Sequence, residues 1–201
     1  STSNLHHSSF INKIDTLITP FSAKDSLMLQ PRILITFGGM IVSKRIKTFL
    51  RKYKPKHHWH IDELRAYDTF GILTKHFHVS PNQFFTQFLP YVKTVESDYK
   101  NKIASVFFFI LLKHKSYLKT IPFSDLKAFE IILKKLPKNL NLHFSNSSSI
   151  RYAQLFKISA SIDVSCNRGT SGIDGSTSTA IGSAIASEKP TLLITGDVSF
   201  L

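Results

Sequence analysis

The chain has 201 residues, of which 42% are hydrophobic and 12% aromatic, a composition typical of a folded globular protein and not of an intrinsically disordered one. Its 26 Lys and Arg residues outnumber its 13 Asp and Glu residues, which gives a formal net charge of +13. The single cysteine, Cys166, excludes an internal disulfide bond and a multi-cysteine zinc site and is typical of a reducing compartment.

Predicted strands and helices alternate from Arg32 to about residue 140. Apolar runs predict strands at residues 32–38 and 57–62. Apolar spacing and capping residues predict four helices, which begin near Ser43, Pro81, Glu96 and Ser124. The third helix contains the run VFFFILL, within an apolar stretch of about ten residues where a membrane span needs about 20. We therefore expect no transmembrane helix and place this run in the hydrophobic core.

The alternation continues to the last residue. Strands are predicted at residues 141–146, 161–166 and 191–195, with helices at 147–156 and 176–187 between them. Strand, helix and strand in this order predict parallel strands. We therefore predict an α/β protein with a Rossmann-like, parallel-sheet central domain at residues 1–140 and the truncated start of a second α/β domain at residues 141–201. Because the last predicted strand reaches the chain end, we expect a fragment of a larger protein.

The positive charge alone does not indicate nucleic-acid binding. It lies in short clusters such as RKYKPKHH and KKLPK, whereas the chain from Arg151 onward is almost neutral. No helix-turn-helix, zinc-finger or RNP-like pattern accompanies it. We expect no nucleic-acid partner and regard anionic small molecules as a reasonable class of ligand. The first ten residues lack the pattern of a secretory signal peptide, and we expect a cytoplasmic protein.

Three polar clusters follow the last three predicted strands, at residues 147–151, 167–175 and 196–197. Because ligands bind at the carboxyl ends of parallel strands, we expect these clusters to converge on one edge of the sheet. A carboxylate such as that of Asp197 holds Mg²⁺ together with phosphate oxygens and water. A Gly-Asp pair is also common in turns and helix caps, so this dipeptide alone leaves both roles open.

The cluster NRGTSGIDG combines glycines, which allow close backbone approach to a ligand, with the guanidinium of Arg168, which suits a carboxylate or phosphate. Ile173 either packs locally or faces an apolar part of a ligand. The alternative for the whole loop is a turn between strand and helix with Asp174 as the cap. Ser147 and Arg151 share a helix face and are suited to one anion, although a solvated arginine is the commoner case.

Two basic residues, Lys44 and Arg45, fall in the first turn of a predicted helix, where exposed cations oppose the helix dipole by about 0.3–1 kcal/mol each. This position suggests anion binding, with ordinary surface charge as the alternative. His58 and His60 share a strand face but lack a third zinc ligand at a useful spacing. Cys166 ends an apolar strand without a nearby activating histidine, and we expect a buried structural thiol.

The segments SNSSSIRYAQLF, CNRGTSGIDGSTSTAIGSA and PTLLITGDVSFL closely resemble the MenD family, the thiamine-diphosphate-dependent synthases of menaquinone biosynthesis. Upstream, ILITFGGMIVSKRIKTFL and HHWHIDE resemble the central domain of that family. The resemblance implies three α/β domains, one binding the pyrimidine of the cofactor, one central, and one binding its diphosphate. This chain then holds the central domain and, at residues 141–201, the start of the diphosphate-binding domain.

The resemblance also implies roles for individual residues. Asp197 corresponds to a ligand of Mg²⁺ or Mn²⁺, Gly196 contacts the cofactor with it, and Ile173 supports the bent cofactor. The remaining matched residues bind the acidic substrate or intermediate, and they are Lys44, Arg45, Ser147, Arg151 and Arg168. No catalytic residue falls within this chain, because the activating glutamate of the family lies in the pyrimidine domain.

The implied reaction is the decarboxylation of 2-oxoglutarate on thiamine diphosphate, followed by transfer of the succinyl-semialdehyde carbanion to isochorismate. Members of the family act as homodimers or tetramers whose active sites combine domains of two subunits. Since the glutamate and one metal-binding asparagine lie outside this chain, we expect the fragment alone to be inactive. Two alternatives stay open: another thiamine-diphosphate carboligase or decarboxylase, and a non-catalytic anion-binding regulatory module.

Overall fold

The computed structural model describes residues 4–7 and 9–200 and divides the chain into two compact units. The first unit consists of Leu17–Gly39 and Lys44–Phe108. The second consists of Met40–Ser43 together with the described residues of Ser1–Thr16 and Phe109–Leu201. The predicted domain boundary near residue 140 stays a prediction.

The described residues form helices and parallel strands in alternation. The helices are α1 (Ile14–Ile18), α2 (Ala23–Leu29), α3 (Lys44–Lys52), α4 (Pro81–Phe88), α5 (Tyr99–Thr120), α6 (Asp125–Lys134), α7 (Ser148–Ala153), α8 (Ser176–Ala186) and α9 (Asp197–Phe200). The strands are β1 (Ile33–Phe37), β2 (His57–Ile61), β3 (Leu73–Phe77), β4 (Asn141–Phe144), β5 (Asp163–Cys166) and β6 (Thr191–Ile194). A short 3₁₀ helix, Leu89–Tyr91, follows α4. These elements confirm the predicted α/β fold class.

Local sequence signals fix where α4 begins and ends. Pro81 occupies the first turn, where its missing N–H costs nothing. The side chain of Ser80 accepts a hydrogen bond from the backbone N–H of Gln83 at 3.2 Å and caps the helix. The helix gives way to the 3₁₀ turn that contains Pro90, because proline removes a backbone donor. The helix predicted from Pro81 is therefore confirmed, and it ends at Phe88, two residues before Pro90.

The sheet of the first unit has the order β1-β2-β3, with both pairings parallel. Its central strand, β2, buries Ile61 completely, and the α3 residues Phe49 and Leu50 are buried as well. Edge-to-face packing joins Phe77 of β3 to Phe84 of α4, with ring centroids 4.8 Å apart. The sequence prediction missed β3, in which the exposed Lys75 interrupts the apolar pattern.

The sheet of the second unit has the order β5-β4-β6, again with parallel pairings. Leu142 and Phe144 of β4 are 0% and 1% exposed and form the centre of a core cluster with Ile150 of α7. The central position of β4 explains this burial, since both of its edges are paired and helices cover it. The remaining members of the cluster are Val42, Leu133, Leu140, Ala153 and Ile162.

Strand order distinguishes the two sheets. In the first, the strands lie in chain order, so both connections run in the same direction across the sheet. In the second, the connection from β4 leads to β5 on one side, and the connection from β5 leads back past β4 to β6 on the other. This reversal creates a topological switch point between β4 and β6, the place where open α/β sheets bind ligands.

The apolar run VFFFILL of α5 does not lie in the core, and the prediction that placed it there is wrong. Phe108 is 64% exposed, Phe109 57% and Leu112 50%, whereas Ile103 and Leu118 are the buried residues of this helix. Seven consecutive apolar residues cover the whole circumference of a helix, so a helix that packs on one face leaves the others exposed. No helix among the described residues is long and apolar enough to cross a membrane.

Candidate functional site

The three strands of the second sheet end side by side. Phe144 of β4 is in register with Cys166 of β5 and with Ile194 of β6. The polar segments that follow, beginning at Ser145, Asn167 and Thr195, therefore start from one edge of the sheet. The structure thus brings together the segments after the three strands, which the sequence places far apart.

Ser145 joins the end of β6 to the start of α7. This serine is completely buried, and its Oγ accepts a hydrogen bond from the backbone N–H of Gly196 at 3.2 Å. The same hydroxyl lies 3.2 Å from the Oγ of Ser149, to which it donates. Its backbone N–H continues the sheet by donating to the carbonyl oxygen of Ile194 at 3.0 Å. Gly196 is therefore fixed beside the switch point.

Asn146 joins the end of β4 to the glycine-rich loop. Its Oδ1 accepts hydrogen bonds from the Arg168 Nη1 at 2.7 Å and from the Cys166 thiol at 3.5 Å. Its Nδ2 donates to the carbonyl oxygen of Asn167 at 2.6 Å and to that of Gly172 at 2.5 Å. The Asn146 side chain is buried, with 2% of its surface exposed. It therefore joins the two ends of the loop segment between Asn167 and Gly172.

Arg168 is half-buried and keeps one unsatisfied group. Its Nη1 is held by Asn146, but its buried Nε has no hydrogen-bond partner among the described residues. A buried donor without a partner costs about 1–3 kcal/mol, so a ligand oxygen placed there would be favourable. Burial raises the pKa of the neighbouring Cys166 thiol, and the positive charge of Arg168 partly offsets this. The thiol is half-buried, less enclosed than predicted.

The glycine-rich loop ends in a left-handed residue. Gly175 has φ +74° and occupies the N-cap position of α8, so Asp174 is not at the cap position. Asn167 closes this end of the loop, because its Nδ2 donates to the carbonyl oxygen of Gly175 at 3.1 Å and to Thr179 Oγ1 at 3.0 Å. Ile173, between the two closures, is half-buried, so the local core does not enclose it completely.

Asp197 is the first residue of α9 and is exposed. Its Oδ1 accepts a hydrogen bond from the backbone N–H of Val198 at 2.8 Å. The described residues contain no group of three His, Cys, Asp or Glu side chains that could enclose a metal ion. Mg²⁺ does not need such a group, because it commonly takes one or two carboxylates and completes its shell with phosphate oxygens and water. Asp197 supplies one exposed carboxylate of that kind.

Ser147 and Arg151 follow β4 and are both exposed. Ser147 is the N-cap residue of α7 and has φ +67°, a conformation that costs a non-glycine residue about 1–3 kcal/mol. Its side chain makes no capping hydrogen bond. A strained backbone at the carboxyl end of the central strand is common at ligand sites.

Lys44 and Arg45 lie in the first unit and are not among the residues that the β5-β4-β6 sheet brings together. Both are exposed and form the first two positions of α3, as predicted from the spacing of the helix. The hydroxyl of Ser43, the residue before them, donates to Asp15. The role of the two cations in anion binding stays a prediction.

Two histidines of β2, His58 and His60, are buried and share a hydrogen-bond partner in the first unit. Thr36 Oγ1 lies 2.8 Å from His58 Nε2 and 2.8 Å from His60 Nδ1. Both histidines share one face of the strand, as predicted, and burial lowers the pKa of each. When a single hydroxyl donates to one of these ring nitrogens and accepts from the other, the ring that accepts is neutral. The geometry explains these histidines as a structural group.

The sequence analysis missed Ser145 and Asn146, which hold the site together. Both were read as the end of a strand. A signal was present, because a serine and an asparagine directly after a buried strand have to find partners when they are buried. Apart from Ser149, the partners named above lie 20 to 51 residues further along the chain, and local pattern does not identify them.

The chain is similar to curated proteins that share one name. It is 66% identical over 200 residues to the 2-succinyl-5-enolpyruvyl-6-hydroxy-3-cyclohexene-1-carboxylate synthase of Flavobacterium psychrophilum, covering 100% of the chain and 36% of that protein. It is 63% identical over 201 residues to the synthase of the same name from Flavobacterium johnsoniae, again covering 100% and 36%. It is 36% identical over 196 residues to the synthase of the same name from Bacteroides thetaiotaomicron, covering 94% of the chain and 33% of that protein.

The chain thus spans about a third of the length of these curated relatives. The resemblance to this synthase family, drawn from the sequence motifs, is confirmed by the identities over the whole chain. A family model described as the middle domain of thiamine pyrophosphate matches residues 2–106. Since that match covers about half of the chain, the chain belongs to the thiamine pyrophosphate middle-domain family.

Proposed function

We propose that this chain is the central domain and the start of the diphosphate-binding domain of a menaquinone-biosynthesis synthase, a thiamine-diphosphate-dependent transferase. In the proposed reaction, 2-oxoglutarate loses CO₂ and the remaining four-carbon unit is added to isochorismate. The observation that carries the proposal is the hydrogen-bonded network of Ser145 and Asn146, which gathers Gly196, Arg168 and the glycine-rich loop at the switch point. The names of the relatives support the same conclusion.

Three residues would hold the cofactor and its metal ion. Asp197 would bind Mg²⁺ or Mn²⁺ together with oxygens of the diphosphate. A Cβ built on Gly196 would meet no atom within 4 Å, so the space beside this backbone is open to a ligand. The half-buried Ile173 would contact the apolar part of the cofactor. When bound, thiamine diphosphate supplies an electron sink for the decarboxylation of a 2-oxo acid.

The arginines of the site would bind the carboxylates of the substrates. 2-Oxoglutarate and isochorismate each carry two carboxylates, and charge-assisted hydrogen bonds to guanidinium groups are about twice as strong as neutral ones. Arg168 has a buried N–H without a partner among the described residues, which a carboxylate oxygen would satisfy. We assign the exposed Arg151 and Ser147 to the same substrate carboxylates as Arg168. We assign Lys44 and Arg45, which belong to the central domain, to substrate binding as well.

We assign no proton-transfer or nucleophilic role to any residue of this chain. The chain binds and orients, and the catalytic groups belong to parts of the longer protein outside it. We therefore expect the 201 residues alone to be inactive, and the longer protein to act in the cytoplasm as a homodimer or tetramer.

The test is an activity assay on the full-length protein that carries this chain. With thiamine diphosphate and Mg²⁺ present, we expect isochorismate to be consumed only when 2-oxoglutarate is added, while the 201-residue chain alone shows no turnover. Consumption of pyruvate in preference to 2-oxoglutarate would instead identify another carboligase or decarboxylase of this cofactor class. Micromolar binding of quinone-pathway metabolites or RNA by the chain alone, with no turnover by the full-length protein, would identify a regulatory module.

A further inference from the structure

We propose that Asn146 is a positioning residue that aims one edge of the Arg168 guanidinium at the substrate carboxylate. This inference rests on the proposed function, in which Arg168 binds a substrate carboxylate, and it takes that carboxylate to belong to 2-oxoglutarate. It adds a residue that touches neither substrate nor cofactor and acts through its hydrogen bonds.

The partners of the Asn146 carboxamide fix its orientation. The Oδ1 faces two donors, the Arg168 Nη1 and the Cys166 thiol, and the Nδ2 faces two carbonyl oxygens. In the reversed orientation, an NH₂ group would face a guanidinium N–H and an oxygen would face two oxygens. A primary amide has two donor hydrogens and two acceptor positions, and all four are used here. Because Asn146 is only 2% exposed, water does not compete for these four hydrogen bonds.

The fixed amide determines which part of Arg168 is left for a ligand. Nη1 is occupied by Asn146, and Nε is buried without a partner among the described residues. On a planar guanidinium, the Nε–H and one Nη2–H point in the same direction and match the two oxygens of a carboxylate. Asn146 therefore holds the side of the guanidinium opposite to that edge, so the edge does not have to be ordered when the ligand binds.

The same amide also fixes the loop that carries Arg168. Its two donor bonds hold the carbonyl groups of Asn167 and Gly172, the residues on either side of the segment 168–171. Loss of these bonds leaves both the side chain and the backbone of Arg168 less ordered. The effect on substrate binding should therefore be larger than the loss of one hydrogen bond to the guanidinium.

The experiment is a double-mutant cycle in the full-length protein with Asn146→Ala, Arg168→Ala and both changes together. We expect Asn146→Ala to raise the KM for 2-oxoglutarate about tenfold, with Mg²⁺-dependent retention of thiamine diphosphate kept. In the Arg168→Ala background, the second change should alter the KM by less than about twofold, because its effect runs through Arg168. Asn141→Ala, at the other end of β4 with one bond to Ser187 Oγ at 2.9 Å, is the matched control and should leave the KM unchanged.

Asn146→Asp serves as the second variant if Asn146→Ala does not fold. It keeps the size of the side chain but removes both donors to the loop and neutralises the guanidinium charge, so the KM should again rise about tenfold. A KM within about twofold of wild type in either folded variant, or an equal effect with and without Arg168, overturns the inference. Failure of the wild-type protein to use 2-oxoglutarate overturns the proposed function instead, so the two failures are distinguishable.

Discussion

The two sheets of this chain have the same number of strands and the same parallel pairing, but different strand orders. In β1-β2-β3 the buried polar side chains lie within the strands, where Thr36 pairs with His58 and His60. In β5-β4-β6 the strand order reverses, and the buried Ser145 and Asn146 lie just beyond the central strand, in addition to His143 within it. The sheet whose strand order reverses is thus the one in which buried polar groups also lie beyond the strand ends, where open α/β sheets bind ligands.

Each unit also contains one buried side-chain nitrogen without a partner among the described residues, His58 Nδ1 in the first and Arg168 Nε in the second. The two nitrogens differ in whether they must carry a hydrogen. His58 Nδ1 can exist as an unprotonated nitrogen when Nε2 carries the hydrogen, so its isolation is compatible with a neutral ring. Arg168 Nε always carries a hydrogen. The histidine nitrogen is thus compatible with the fold alone, whereas the arginine N–H needs an acceptor that the described residues do not supply.

The largest expected effect concerns the core beneath the ligand-binding edge. Leu142 is completely buried in the centre of β4, so Leu142→Ala should lower the free energy of unfolding by about 2–5 kcal/mol. Urea titration followed by far-ultraviolet circular dichroism measures this change. Ile181→Ala on α8, where the side chain is 56% exposed, is the control and should stay within about 0.5 kcal/mol. Equal effects of the two changes would contradict the assigned core.

Next in size is the loss of cofactor retention on removing the proposed metal ligand. Asp197→Ala in the full-length protein should weaken Mg²⁺-dependent retention of thiamine diphosphate by about 100-fold or more, because the ion loses a protein carboxylate. Calorimetric titration of the cofactor with Mg²⁺ measures this. Asp163→Ala removes an exposed carboxylate that pairs with Lys189, and it should leave retention unchanged. Normal retention in Asp197→Ala would remove this residue from the site.

Removal of the Arg168 guanidinium should affect the substrate and spare the cofactor. We expect Arg168→Ala to raise the KM for 2-oxoglutarate by roughly 10-fold to 100-fold, since hydrogen bonds to charged groups are the stronger ones. Steady-state kinetics on the full-length protein measure the KM, and cofactor titration checks retention. Arg65, which lies over the ring of Tyr67 in the first unit, provides the control Arg65→Ala. A loss of cofactor with an unchanged KM would show that Arg168 binds the cofactor and not the substrate.

The smallest expected effect is a dependence of stability on pH from the histidines of the first sheet. Burial lowers the pKa of His58 and His60, so the unfolded chain binds protons that the folded chain does not. Their contribution to stability is complete above the unfolded pKa of about 6.5 and is lost as the pH falls below it. Thermal unfolding between about pH 8 and pH 5 measures the loss, and His58→Gln should reduce it. An unchanged pH profile in that variant would contradict the assignment.

Local sequence signals predicted most of the elements, because caps and apolar spacing act over a few residues. The helices that begin at Lys44 and Pro81 and the buried strand at Asn141–Phe144 are examples. Burial of an apolar run depends on what packs against it, which explains why the exposed Phe108 and Phe109 were wrongly placed in the core. The strand Leu73–Phe77 was missed because a charged residue breaks its apolar pattern.

The candidate site was predictable in outline and not in its connections. Parallel strands imply that their polar ends converge, and the motifs around Arg168, Ile173 and Asp197 carried the resemblance to a family. The hydrogen bonds of Asn146 join residues more than 20 positions apart, and only the fold brings them together. The roles of Lys44 and Arg45 stay a prediction, since they lie in the other unit.

The most direct measurement is a crystal structure of the full-length protein with thiamine diphosphate and Mn²⁺ in place of Mg²⁺. Mn²⁺ gives an anomalous signal, and we expect its peak beside the Asp197 carboxylate, with the diphosphate at the carboxyl ends of β4 and β6 and Gly196 next to it. An Mn²⁺ peak and a diphosphate bound away from this edge of the sheet would contradict the account.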